Sequence, residues 1–183
     1  HKSMPMKVAG VLNHNDRPSF YIYKQLKQTR RSSSPVGADG PLPTGVEELN
    51  LGNNSLNDAG AKWISRALKE NTTLRCLNVS GNEIGGDGAW WFADAIAVNS
   101  DLRSLDLGSN KIGDAGAKDI AEELRANTAL HTLDLRRNGI GADGARELAN
   151  ALEENATITS VTLRGNVIPD SAATREAFQR AGL

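Results

Sequence analysis

Cysteine is almost absent: Cys76 stands alone in 183 residues, so no disulfide can close within the chain and a reducing compartment is the expected setting. An excess of either charge is missing too. The formal net charge is −1, which leaves no global field of the kind that gathers nucleic acid or an anionic membrane surface. No apolar run approaches the roughly 18–20 residues of a bilayer span. The chain opens His1-Lys2-Ser3 and carries no signal-peptide pattern. These absences lead to the expectation of a cytoplasmic protein with neither nucleic acid nor membrane as partner.

What is present is a period. From Val46 onward the chain repeats every 28 residues, five times, without insertion or deletion. A first apolar anchor recurs as Val46, Leu74, Leu102, Leu130 and Ile158, and a second as Leu49, Leu77, Leu105, Leu133 and Val161. A third recurs as Leu51, Val79, Leu107, Leu135 and Leu163, followed by Asn54, Asn82, Asn110, Asn138 and Asn166. The second half of each repeat is in phase as well. Ile64, Phe92, Ile120 and Leu148 precede Leu68, Ile96, Leu124 and Leu152 at the spacing of an amphipathic helix. Asn71, Asn99, Asn127 and Asn155 follow, and asparagine tolerates the left-handed conformation that ends many helices. The first half alternates, as in Leu77-Asn78-Val79, which predicts a short strand.

Each repeat therefore reads strand, turn, helix, turn. One unit cannot bury its leucines alone, whereas stacked units share a continuous spine. Strands lie about 4.8 Å apart and helices need about 8–10 Å, so the stack curves with its strands inside. The asparagine after the third anchor is expected to turn its amide inward, toward backbone groups the bend leaves unpaired.

The run from Leu102 to Asn127, LxxLxLxxNxIxxxGAxxIxxxLxxN, resembles the ribonuclease-inhibitor-like class of leucine-rich repeats. With its closing "NTTL" (Asn71–Leu74) and "NTAL" (Asn127–Leu130), it is similar to repeats of NOD-like receptors, the Ran-cycle GTPase-activating protein and the tropomodulin C-terminal domain. The resemblance covers about residues 46–183. It implies an α/β fold: a right-handed solenoid, a segment of a horseshoe, with a parallel concave sheet, convex helices and five 28-residue repeats. For function it implies a non-enzymatic protein-protein interaction module: a scaffold, an adaptor or the sensing part of a larger regulator. Its members also include a GTPase activator and an actin-capping protein, the alternatives here, although no residue set of either transfers onto this chain and the acidic tail typical of the first is not visible.

Alternation puts the residues between the anchors on the concave side. The candidate partner-binding residues there are Asn78, Asp106 and Asp134 at the strand centres, Arg103 and His131 at the strand entrances, and Arg136, Arg137 and Arg164 just past the strands. On one reading, the aspartates take a basic group of a partner and the arginines an acidic one. On the other, these charges pair among themselves, Asp134 with Arg136 for example. A second candidate surface is aromatic. Trp63 and Trp91 occupy equivalent helix positions, with Trp90 beside the latter, where later repeats carry Lys118, Asp119, Arg146 and Glu147. Such an outward pair suggests a covered surface: the chain's own Phe20–Tyr23 stretch, a partner, or a second copy.

The three histidines, His1, His14 and His131, have no nucleophile and orienting acid in a recognisable arrangement, and Cys76 has no histidine at its own level. The glycine-rich stretch Ile84–Gly88 recurs as Ile112–Gly116 and Ile140–Gly144 without a phosphate-loop lysine, so it is a turn of the repeat. No catalytic residue, metal or cofactor is expected. Outside the period, residues 1–29 are expected to cap the solenoid, with short elements at Met6–Leu12 and Phe20–Leu26, and 30–45 to act as a flexible linker. The repeat domain is assigned to 46–183. Glu176 breaks the apolar stripe of the last helix, from about Ser171, as expected of a polar cap or of a longer array cut short.

Overall fold

The structure is a computed structural model and describes Met6–Lys7 and residues 46–170. Strand β1 is Met6–Lys7. Five units then follow in chain order: β2 (Glu48–Asn50) and α1 (Asn57–Glu70); β3 (Cys76–Asn78) and α2 (Gly86–Ile96); β4 (Ser104–Asp106) and α3 (Gly113–Leu124); β5 (Thr132–Asp134) and α4 (Ala142–Glu154); and β6 (Ser160–Thr162). All six strands form one parallel sheet in the order β1-β2-β3-β4-β5-β6. From β2 onward the register is the sequence period itself: Leu49, Leu77, Leu105, Leu133 and Val161 stand side by side. The α/β leucine-rich-repeat solenoid anticipated from the period is the observed fold.

One core runs the length of the stack. Leu49, Leu77, Leu105 and Leu133 of β2–β5 face it, as do Leu51, Val79, Leu107 and Leu135 and the helix residues Ile64, Phe92, Ile120 and Leu148, all buried, while Val161 of β6 is partly buried against it. Glycine in the first turn of each helix lets neighbouring helices approach. A Cβ on Gly88 would lie 2.4 Å from Asp58 Oδ1 and 2.5 Å from Ile84 Cγ2, closer than atoms can come.

Two asparagine ladders close the turns. In the first, Asn110 Oδ1 accepts the Asn82 and Ile84 amides at 2.9 and 3.0 Å, while its Nδ2 donates to the Val79 and Leu107 carbonyls at 3.1 and 2.9 Å. Asn82, Asn138 and Asn166 repeat the pattern, each reaching back into the preceding unit. This is the inward amide expected from the sequence.

The second ladder corrects an expectation. Asn71 and Asn155 do not end their helices in the left-handed conformation; their φ/ψ values, −83°/131° and −84°/124°, are extended. The side chain explains the choice. Asn99 Oδ1 accepts the Asp101 and Leu102 amides at 3.0 and 2.8 Å, turning the chain into the next strand, and its Nδ2 donates to Leu68 and Asn71 carbonyls of the previous repeat at 2.7 and 3.0 Å. An extended backbone with a doubly used amide thus caps the neighbour's helix and starts the next strand.

The pairing of β1 with β2, Met6 against Leu49, is separated by 43 residues where every other strand pair is separated by 28. It extends the sheet at its first edge, within one of the two short stretches anticipated before Val46. The element expected over Phe20–Leu26, the linker at 30–45 and the helix expected from about Ser171 lie outside the described residues.

Candidate functional site

Strands β2–β5 are three residues long, with the middle residue buried and its two flanks turned outward. Register then builds two rows across the concave face. One is Glu48, Cys76, Ser104, Thr132 and Ser160; the other is Asn50, Asn78, Asp106, Asp134 and Thr162. The expected site residues Asn78, Asp106 and Asp134 are therefore neighbours, about 4.8 Å apart from strand to strand.

Each of these side chains also has a structural task that its placement on the face does not reveal. Oδ1 of Asn50, Asn78, Asp106 and Asp134 accepts the backbone N–H two residues on, at Gly52, Ser80, Gly108 and Arg136, always at 2.9 Å. This side-chain turn ends the strand. The spacing Asn-x-Gly, Asn-x-Ser, Asp-x-Gly is visible in the sequence and could have announced it. The turn leaves the other side-chain atom of each residue to make further contacts, and in Asp134 that oxygen is taken by Arg136.

The cations divide into two groups. Arg136 spans both aspartates, 2.8 Å from Asp134 Oδ2 and 3.8 Å from Asp106 Oδ2, so the internal pairing of Asp134 is realised. Arg103 turns its guanidinium to the Ser100 and Ala129 carbonyls at 3.0 and 3.2 Å. His131 Nδ1 lies 2.7 Å from the Ala129 carbonyl, a distance that assigns the ring proton to this nitrogen. These two residues tie down the strand entrances. Arg137 and Arg164 are exposed and, among the described residues, make no ion pair. They form the open basic corner at repeats four and five.

At the other end, a shallow cleft of about 280 Å³ lies over repeats one to three, lined by Glu48, Asn50, Cys76, Asn78, Ser104 and Asp106 with Leu49 and Leu77 beneath. Burial pushes the Cys76 thiol above its ordinary range, and Glu48 and Glu47 push it further. Asp106 is also raised, first by burial and then by Asp134, against the lowering pull of the Gly108 amide and of Arg136. The face is thus graded, amide and acid at one end and arginine at the other. Among the described residues no cluster of His, Cys, Asp and Glu could hold a metal ion, and no helix is long and apolar enough to cross a membrane.

On the convex side the aromatic residues are arranged differently from the expected outward pair. Trp63 and Trp91 are half-buried under cations of α1: Lys62 Nζ lies 4.7 Å from the Trp91 ring centre, and the Arg66 guanidinium 5.5 Å from Trp63 and 5.9 Å from Trp91. Trp90 is the exposed one, at 48%, and packs edge-on against Trp91 with ring centres 4.7 Å apart. The reason is register. Position 62, one residue before Trp63 on α1, is a lysine long enough to lie across the next repeat's indole.

The family model described as leucine-rich repeat matches residues 45–65, 70–89, 98–121 and 126–149. No curated protein sequence matches the chain. Among solved structures it is similar to actin-binding site 2 of leiomodin-1, with a TM-score of 0.71 and 20% identity, covering 87% of this chain and 84% of that one. It is also similar to the tropomodulin C-terminal domain from Caenorhabditis elegans, with a TM-score of 0.69 and 14% identity, covering 89% of this chain and 90% of that one. Four matched repeats, an in-register parallel ladder and two asparagine ladders make this chain a leucine-rich-repeat protein of the ribonuclease-inhibitor-like class.

Proposed function

We propose that this chain is a protein-docking module that works by binding rather than by catalysis, and that its partner lies along the concave strand face. The observation that carries the reading is the graded face: an amide-and-acid cleft over repeats one to three, then the unpaired Arg137 and Arg164 at repeats four and five. A surface of this kind selects a partner with donors and positive charge toward β2–β4 and negative charge toward β5 and β6. Charge complementarity sets orientation and association rate more than raw affinity.

A pull-down comparing wild type with Asp106→Ala/Asp134→Ala and with Arg137→Ala/Arg164→Ala tests it. A partner held on this face is lost or weakened in at least one double variant. Retention of every partner by both removes the concave assignment.

A second reading, an actin-binding module, is supported by the likeness to the solved actin-binding site 2 of leiomodin-1. Co-sedimentation with filamentous actin decides it. Pelleting of the wild type that falls with Arg137→Ala/Arg164→Ala supports an actin partner on this face, and no pelleting removes it.

A further inference from the structure

The grooves between successive helices on the convex side follow one rule, and the middle groove breaks it. In the α1/α2 groove the chain supplies its own cations: Lys62 and Arg66 lie over Trp91, and Lys69 pairs with Asp94. In the α3/α4 groove Arg125 does the same, reaching Glu147 at 3.7 Å and Glu154 at 3.4 Å. Shifting by one repeat, the positions of Lys62, Arg66 and Lys69 become Trp90, Asp94 and Ala97 on α2. Trp90 and Asp94 line, with Ala93, a cleft of about 190 Å³ whose other wall is Asp119, Glu122 and Glu123 of α3.

Asp94 is already neutralised by Lys69. Asp119, Glu122 and Glu123 make no ion pair among the described residues, and the cation whose charge acts on Asp119 is its chain neighbour Lys118. Burial first, and then Glu122, hold the Asp119 carboxyl above its ordinary range, against the lowering pull of Lys118. Trp90 is 48% exposed at a position where the other three helices carry Lys62, Lys118 and Arg146. The middle groove therefore has carboxylates of the kind its neighbours pair with a cation and an exposed ring beside them, and no cation among the described residues forms an ion pair with Asp119, Glu122 or Glu123.

We propose that the α2/α3 groove is a docking site for one arginine or lysine side chain presented by a basic segment of a partner protein. The size fits a single side chain: the cleft is well below the roughly 300–1,000 Å³ of small-molecule sites. A guanidinium stacked on Trp90 gains the ring interaction, and its N–H groups reach the Glu122 and Glu123 carboxylates in the geometry arginine favours. The exposed Ala97 and Val98 at the end of α2 offer apolar contact to the flanking methylenes. This surface lies on the opposite side of the sheet from the concave face, so the two proposals fail independently.

Fluorescence anisotropy of a labelled tetra-arginine peptide with the full chain, at physiological salt, tests it. Trp90→Lys restores the residue type of Lys62 and Lys118 and fills the groove from within; it should weaken binding about tenfold. Glu122→Gln/Glu123→Gln should do the same without adding charge. Trp90→Phe keeps a ring and should retain most of the affinity. Asp143→Asn, an exposed acid on α4 outside both surfaces, should change it by less than about twofold. Binding unchanged by Trp90→Lys and Glu122→Gln/Glu123→Gln, or lost equally with Asp143→Asn, overturns the proposal. So does a several-fold gain on Arg30→Glu/Arg31→Glu, which would assign the groove to the chain's own basic stretch of Lys24, Lys27, Arg30 and Arg31.

Discussion

Replacing Asn110 by alanine removes a rung from the middle of the first ladder, and the cost can be worked from its bonds. Two amides, Asn82 N–H and Ile84 N–H, lose the acceptor that the Asn110 side chain provides. Asn82 and Ile84 are fully buried, so water does not replace it. The carbonyls fare better. Val79 O keeps its bond from Asn82 Nδ2, and Leu107 O keeps one from Asn138 Nδ2. Only the two donors are orphaned, at about 1–3 kcal/mol each, which predicts a loss of about 2–6 kcal/mol. Asn54 is the internal control. As the first rung it donates to Leu51 and Gly52 carbonyls, and none of the described amides donates to its oxygen. Asn54→Ala should therefore cost only about 1 kcal/mol. Urea unfolding followed by far-UV circular dichroism measures both. Equal losses in the two variants would refute the argument that orphaned donors, rather than lost packing, set the cost.

The inter-repeat caps give a second expectation. Asp58 Oδ1 accepts the Gly85 and Gly88 amides of the next helix at 2.6 and 3.0 Å, and Asp114 treats Gly141 and Gly144 alike at 2.7 and 2.9 Å. Asp114→Ala should cost about 0.5–2 kcal/mol in the same assay, and Gly144→Ala about 1–3 kcal/mol, because the new methyl would sit 2.7 Å from Asp114 Oδ1. Asp106 predicts a pH dependence. Its carboxyl is raised in the folded state, so between its ordinary value of 3.8 and its folded value the native chain holds more protons than the unfolded one. Stability relative to Asp106→Asn should accordingly fall as pH rises through that window and level off above it; a rise would contradict the burial that causes the shift. Cys76, its thiol raised by burial and by Glu48, should alkylate with iodoacetamide at about pH 8 more slowly than a free cysteine, and Glu48→Gln should speed it.

The spine was legible because its rungs are identical. A leucine that must be buried every 28 residues leaves only one way to stack, and the strand register follows from it. The concave rows were legible for the same reason, since alternation places Asn78, Asp106 and Asp134 together. What those atoms do was harder to read. The strand-ending turn consumes one oxygen of each, and Arg103 and His131 bend to carbonyls because the loop before the strand leaves those carbonyls within reach. Trp63 and Trp91 look outward on a single helix and are covered by cations from that helix or its neighbour, so their exposure is a property of pairs of repeats. Asn71 and its equivalents misled because asparagine suits both a left-handed helix end and an extended turn, and only the amides of the following strand decide between them. Strand β1, two residues long and 43 residues from its partner position, carries no periodic signal.

Cross-linking at the concave face tests the ladder on which both surfaces depend. Cys76 stands directly opposite Ser104 in the register, with Thr132 one strand further. Adjacent strands are about 4.8 Å apart, within the roughly 4.4–6.8 Å that a disulfide spans, and two strands are about twice that. Under mild oxidation Ser104→Cys should form an intramolecular disulfide with Cys76, and Thr132→Cys should not. Bridging in Thr132→Cys at a comparable rate, with Ser104→Cys remaining reduced, would contradict the register.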